Sequence, residues 1–239
     1  MSNTLGTLYG IGVGPGDPEL VPVKSVRIIK EVDIIYTASS TKNDYSMAVN
    51  TVKSYIPELT PVITLPFPMT RDKSETETAW TNHARTIIEQ IEEGRNVAFL
   101  TLGDPTTYST YGYILQNVRA LAPHVPVTTI PGITSYQATA ARLNKPLVEG
   151  EESLLITSGV QGGNLLRDLS PRPENVVFLK AYRNAGDIAT ALEETGYIEN
   201  SVGISRCGLP EEEVIEDVRA FKKRKPGYWT IIMAKQKND

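Results

Sequence analysis

Gly10-Ile11-Gly12-Val13-Gly14-Pro15-Gly16-Asp17-Pro18 lies between an apolar run and an amphipathic one. Residues 7–13 read as a strand. Residues 22–31 read as a helix, with Val26, Ile29 and Val32 recurring at three-residue spacing and Pro22 suited to a first helical position. Strand, glycine turn and helix in that order open an α/β unit. Glycines at alternate positions let backbone approach a ligand closely. The dinucleotide fingerprint G-x-G-x-x-G/A nevertheless fails: its third position is Pro15 when counted from Gly10 and Asp17 when counted from Gly12. Pro15 and Pro18 also remove N–H donors that a phosphate cradle would use. No G-x-x-x-x-G-K-S/T occurs, which excludes the P-loop NTPases. The acidic residue that Rossmann-like methyltransferases usually place before their glycines is replaced by Leu8-Tyr9. Taken alone, the stretch is equally a tight connection in an α/β sheet.

Outward from this stretch the alternation continues. Strands are expected at 33–36, 61–65 and 96–102. Helices are expected at 72–93, where Ala79, Trp80, Ala84, Ile87, Ile88 and Ile91 share a face and Gly94 stops the run, and again through Ile114, Leu115, Val118 and Leu121. The pattern restarts after Ala122-Pro123. Strands are then expected at 125–130, 154–157, 176–180, 202–205, 213–218 and 228–234, with helices at 133–143 and 187–194. The fold class is α/β, with domains at 1–121 and 122–239 and a mixed sheet in the strand-rich second half. Residues 221–226, Phe-Lys-Lys-Arg-Lys-Pro, read as a solvated turn before the last strand, with a phosphate or nucleic-acid patch as the alternative.

Composition narrows the classes. The chain has 239 residues, 40% hydrophobic and 22% charged, which is globular rather than disordered. The net charge of −4 argues against a general nucleic-acid binder. One cysteine, Cys207, excludes an intrachain disulfide, and with only His83 and His124 no metal site is expected. No apolar run approaches about 18 residues, and residues 1–6 lack the pattern of a signal peptide. The expectation is a cytoplasmic protein with no membrane contact.

Two further loops match the first in kind. Leu102-Gly103-Asp104-Pro105-Thr106-Thr107-Tyr108-Ser109 follows a strand and precedes a helix, and so does Ile130-Pro131-Gly132-Ile133-Thr134-Ser135. Ligands of open α/β sheets sit outside such strand ends. Asp104 could accept hydrogen bonds from ribose hydroxyls or an amino group, or simply form a turn. Thr134 and Ser135 could face a ligand or cap the helix.

With these three loops in this order the chain resembles the tetrapyrrole (corrin/porphyrin) methylase family. Arg206-Cys207-Gly208-Leu209-Pro210 and the closing strand extend the likeness over nearly the whole chain. Within the family, residues 146–152 and 206–211 look most like the enzymes that methylate C20 of precorrin-2 or cobalt-factor II. The alternatives are methylation at another corrin position or of uroporphyrinogen III, and, in a different class, a non-catalytic module that binds S-adenosylmethionine (SAM) or a nucleotide.

The resemblance implies two α/β domains, SAM as methyl donor in the cleft between them, a tetrapyrrole substrate and a homodimer. It assigns donor contacts to Pro15, Leu102, Gly103, Asp104, Thr107, Tyr108, Thr134, Ser135, Lys180, Ala181, Tyr182, Cys207 and Gly208. Lys180 is expected to act through its backbone, because the family usually has apolar or small residues there. Cys207 is not read as a nucleophile. Gly14, Gly16 and Asp17 would line the macrocycle pocket. Asp17 is the candidate for handling or orienting a proton, with helix capping as the alternative. The substrate is a polycarboxylate, so Arg71, Arg183 and Arg206 are its candidate partners.

Overall fold

The computed structural model describes residues 4–40, 47–68, 70 and 72–236. The chain divides into two compact units, Met1–Thr134 and Ser135–Asp239. The division falls after residue 134 rather than after 121, because the strand at Val127–Ile130 pairs with the first strand of the chain and completes the first sheet.

That first sheet has five strands: β1 (Leu8–Gly12), β2 (Ile34–Ser40), β3 (Val62–Phe67), β4 (Val97–Thr101) and β5 (Val127–Ile130). Their order is β3-β2-β4-β1-β5, and every pairing is parallel. A parallel sheet is covered on both faces, and β4 shows why its sequence is apolar throughout. Val97 and Phe99 point into one core, with Ile87 and Ile91 of α3 (Lys73–Glu92) and Ile114 and Val118 of α4 (Tyr111–Leu121). Ala98 and Leu100 point into the other, with Ile28 and Ile29 of α1 (Val23–Ile29) and Val52 of α2 (Met47–Val52). Asp72 starts α3 by accepting hydrogen bonds from the backbone N–H groups of Ser74 (2.9 Å) and Glu75 (3.4 Å). Helix α2 has no counterpart in the sequence reading.

The second unit holds β6 (Leu154–Ser158), β7 (Asn175–Leu179), β8 (Ser201–Ser205), β9 (Glu213–Ile215) and β10 (Thr230–Lys235) in the order β6-β7-β10-β8-β9. Only β6 and β7 pair in parallel, so the sheet is mixed. Helix α7 (Ala185–Glu194) covers one face through Ile188, Ala189 and Leu192. Helix α5 (Ser135–Leu143) covers the other, where Ala140 packs with Val177, Leu179 and Ile204. The short α6 (Asn164–Asp168) was not foreseen. Nor does the strand expected at 213–218 run its full length. Asp217 accepts from the Arg219 N–H at 3.0 Å and starts a 3-10 turn at Val218–Lys222 instead. The last strand begins at Thr230, because the Thr230 hydroxyl donates to the Gly227 carbonyl (2.7 Å) in a turn that leaves Tyr228 and Trp229 ahead of the sheet.

Candidate functional site

The three glycine loops of the first unit leave adjacent strands β4, β1 and β5 at their carboxyl ends, the edge where open α/β sheets bind ligands. They meet through backbone. Gly14 and Gly103 exchange hydrogen bonds, with Gly103 N donating to Gly14 O at 2.6 Å and Gly14 N to Gly103 O at 3.3 Å. A Cβ on Gly132 would lie 2.1 Å from Gly103 O, and one on Gly12 would lie 2.5 Å from Gly132 N. Gly12 and Gly132 therefore sit where no side chain fits, for packing reasons alone.

Gly103 differs. Its φ is +72°, yet the nearest atom to a Cβ there, Ile133 O, is 4.0 Å away. Gly103 is buried, but a Cβ there would meet its nearest neighbour only at van der Waals distance, so its glycine answers to backbone conformation rather than to crowding. Left-handed residues recur at the candidate positions: Tyr108 (φ 50°), Lys180 (φ 55°), Arg206 (φ 57°) and Gly208 (φ 71°). Lys180 directly follows β7, and Arg206 directly follows β8. A non-glycine residue held in this region costs about 1–3 kcal/mol, and such residues concentrate at ligand sites. Strands β7 and β8 thus end, as β1 and β4 do, with a left-handed residue within two positions.

Asp104 is 7% exposed, and both carboxylate oxygens are engaged. Oδ1 accepts from the Thr106 N–H (2.8 Å) and from the Thr106 and Thr107 hydroxyls, while Oδ2 accepts from the Gly132 N–H at 3.0 Å. Burial pushes its pKa up, but the bonds from Thr106, Gly132 and Thr107 outweigh burial and hold it below the usual carboxylate range. Its side chain clamps the second loop to the third. This is the turn-forming alternative of the sequence analysis, with Oδ2 accepting one hydrogen bond, from the Gly132 N–H. Asp17 likewise caps a 3-10 turn at Pro18–Leu20, accepting from the Glu19 N–H at 2.9 Å. Pro15 and Gly16 are buried beside it, and Gly14 and Gly16 have φ of 80° and 131°. Of the other first-unit candidates, Leu102 and Thr107 are half-buried, Thr134 is buried and Tyr108 is exposed.

In the second unit, Ala181, Tyr182 and Arg183 form a 3-10 turn after β7, with Ala181 buried. Arg183 Nε donates to the Tyr182 hydroxyl at 2.8 Å. Arg206 pairs with Glu211 at 2.5 Å, and its Nε is buried with no acceptor among the described residues. Burial pushes the Cys207 thiol up, which suits a neutral sulfur rather than a nucleophilic thiolate. The Gly208 N–H donates to Glu212 Oε2 at 2.7 Å. Ser135 is the first residue of α5. Arg71 lies outside the described residues. A cavity of about 580 Å³ at the other end of this sheet is lined by Asn175, Ser201 and Lys235 and touches none of the candidates. Among the described residues no cluster of metal-ligating side chains occurs, and no helix is long and apolar enough to cross a membrane.

The model of the tetrapyrrole (corrin/porphyrin) methylases matches residues 7–220. The chain is 31% identical over 233 residues to the cobalt-precorrin-2 C(20)-methyltransferase of Salmonella typhimurium, covering 97% of each. It is 30% identical over 211 residues to the precorrin-2 C(20)-methyltransferase of a Sinorhizobium species, covering 84% of each. Among solved structures, the uroporphyrin-III C-methyl transferase of Thermus thermophilus complexed with S-adenyl homocysteine matches with a TM-score of 0.65 and 23% identity, over 95% of this chain and 97% of that one. A fold shared at that level and a family match spanning most of the chain agree with the loop order, and the chain belongs to the tetrapyrrole methylases.

Proposed function

We propose that this methylase transfers the methyl group of SAM to C20 of precorrin-2 or of its cobalt-containing counterpart, in cobalamin biosynthesis. The observation that carries the reading is similarity over most of the chain to two proteins named for that carbon, one for each form of the substrate.

SAM would supply a methyl group on a sulfonium, ready for in-line displacement by an electron-rich meso carbon. The residues present fit such a donor. In the first unit Leu102, Gly103, Asp104, Thr107 and Tyr108 offer strand-end backbone, with Pro15 and Thr134 on the neighbouring loops, and Ser135 follows as the first residue of the second unit. In the second unit Lys180, Ala181, Tyr182, Cys207 and Gly208 offer the same. Backbone groups can bind carboxylate, ribose and adenine without charged side chains. Gly103 supports this assignment best, because its left-handed backbone is not imposed by crowding: a Cβ there would meet nothing closer than 4.0 Å. The chain's contribution to rate would be positioning and exclusion of water. No side-chain base is assigned, since Asp17 caps its own turn. Arg183 and Arg206 would meet substrate carboxylates. The protein would act as a homodimer, a state that light scattering of the pure protein reads directly.

The deciding experiment incubates the pure protein with SAM and either precorrin-2 or cobalt-factor II, then locates the new methyl by mass and NMR. A methyl at C20 is expected. A methyl at another carbon, or only on uroporphyrinogen III, would overturn the C20 assignment, and SAM binding without turnover on any tetrapyrrole would overturn the enzymatic one.

A further inference from the structure

Ahead of β10 the second unit exposes aromatic surface. Tyr228 is 62% exposed and Trp229 36%. Large apolar rings left in water mark a binding surface when they are grouped, and these are. The Tyr182 and Tyr228 rings lie 4.7 Å apart and tilted by 43°, and those of Tyr228 and Trp229 lie 5.9 Å apart edge to face, so the three form a cluster in which Tyr228 is the most exposed ring. A guanidinium closes each end of the cluster: Arg183 stands 5.6 Å from the Tyr182 ring centroid and Arg206 5.7 Å from that of Trp229.

The neighbouring cavity, about 330 Å³, is lined by Tyr182, Arg183, the first turn of α7 and the basic turn Phe221–Pro226. Two of the four cations in that turn are neutralised, Lys222 by Glu193 and Arg224 by Glu213. Lys223, Lys225 and Arg183 form no ion pair among the described residues. The carboxylate in the lining, Asp187, is bound to Arg167 at 2.9 Å. Uncompensated cations gathered round one hollow repel each other, and an anion entering it relieves the repulsion.

We propose that the cluster Tyr182–Tyr228–Trp229, flanked by Arg183 and Arg206, docks the ring of a polycarboxylate tetrapyrrole, with Lys223 and Lys225 receiving its carboxylate arms. The proposal rests on the reading of the substrate as a tetrapyrrole. Charge complementarity selects this occupant: a conjugated ring with several carboxylates matches the exposed Tyr228 face beside unpaired cations, whereas SAM carries one carboxylate against an ammonium and a sulfonium. Tyr228 and the two lysines are positioning residues, and none touches the reacting carbon in this assignment.

The test measures uroporphyrin binding to the full chain by porphyrin fluorescence, beside SAM binding by calorimetry. Tyr228→Ala should weaken uroporphyrin binding about tenfold, the scale of one lost aromatic stack, and Tyr228→Phe should restore it. The double variant Lys223→Glu/Lys225→Glu should weaken it about tenfold or more and flatten its salt dependence. These positions are exposed, so folding is expected to survive, and SAM affinity should stay within about twofold in every variant on the ground that surface changes are near neutral. Coproporphyrin, with fewer carboxylates, should bind less tightly than uroporphyrin and lose less in the lysine variant. Unchanged uroporphyrin affinity in both variants, or no binding by the wild type, would overturn the proposal. A methyl delivered to a carbon other than C20 would overturn only the C20 assignment, because binding is read on an unreactive porphyrin.

Discussion

In the first unit the loops after β1, β4 and β5 are held by glycine backbone against glycine backbone, with Asp104 as a buried clamp. In the second unit the segments bordering the sheet are held by partly exposed ion pairs. Arg167 bridges Asp187 (2.9 Å) and Glu194 (2.6 Å), Arg142 holds Glu212 (2.7 Å), and Lys235 holds Glu152 (2.7 Å). Backbone packing is indifferent to salt and to moderate pH but fails when a single methyl is added. Exposed ion pairs tolerate shape changes and respond to pH and salt, each contributing about 0–1 kcal/mol. One fold therefore carries two kinds of strand-end loop, and they should break under different insults.

The largest expected effect is at Gly132. Gly132→Ala places a Cβ 2.1 Å from Gly103 O and 2.9 Å from Gly12 backbone, neither of which can swing aside. Overpacking of this kind should destabilise by about 3 kcal/mol or more, read as a fall in the urea midpoint. Gly227→Ala, with nothing within 4 Å, is the control and should change stability by less than about 0.5 kcal/mol. Equal effects would erase the contrast between the units.

Gly103→Val comes next. The position is roomy but left-handed, so about 1–3 kcal/mol of stability should go while the protein stays folded. SAM binding should become unmeasurable by calorimetry. Retained affinity would remove this loop from the donor site.

Asp104→Asn is milder. The amide keeps one acceptor and turns a donor toward the Thr106 or Gly132 N–H, for a loss of about 1–3 kcal/mol in chemical denaturation.

The smallest effect belongs to the second unit. Glu152 is held at about 2 by hydrogen bonds from Lys235 and Asn175, against an ordinary value of 4.5. A carboxylate with a depressed folded-state pKa contributes stability that is complete above its unfolded value and is lost as pH falls through the folded one. Glu152→Gln should therefore flatten the decline in stability between about pH 4.5 and about pH 2 and shift the midpoint only slightly at neutral pH. An unchanged acid profile would show that this ion pair does not couple the start of β6 to the end of β10.

Much of this was legible in the sequence, for identifiable reasons. Strands β1, β4, β7 and β8 are short, apolar and bounded by glycine or polar turns, and period and punctuation suffice for such elements. The loops at Gly12–Gly16, Gly103–Asp104 and Pro131–Gly132 announced themselves by composition. The division between the units did not, because Ala122-Pro123 looks like a linker and only pairing between β5 and β1 shows which sheet owns residues 127–130. The engagement of Asp104 was hidden too, since a carboxylate free for ribose and one spent on Gly132 have the same letter. So were the left-handed angles at Lys180 and Arg206, which residues of those types seldom adopt. Tyr228 and Trp229 fit a strand pattern as well as Thr230–Lys235 do, whereas the turn at Gly227–Thr230 sets them in water.

The reciprocal bonds between Gly14 and Gly103 have a consequence in time. Loops at binding sites commonly open locally, far below the free energy of global unfolding. Here each loop is closed by the other's amide, in an antiparallel bridge just beyond the end of the parallel β1–β4 ladder. The amide protons of Gly14 and Gly103 should exchange with solvent as slowly as those of the strands behind them. A ligand that meets Gly103 then finds a surface already ordered, and its binding loses little affinity to the ordering of that loop.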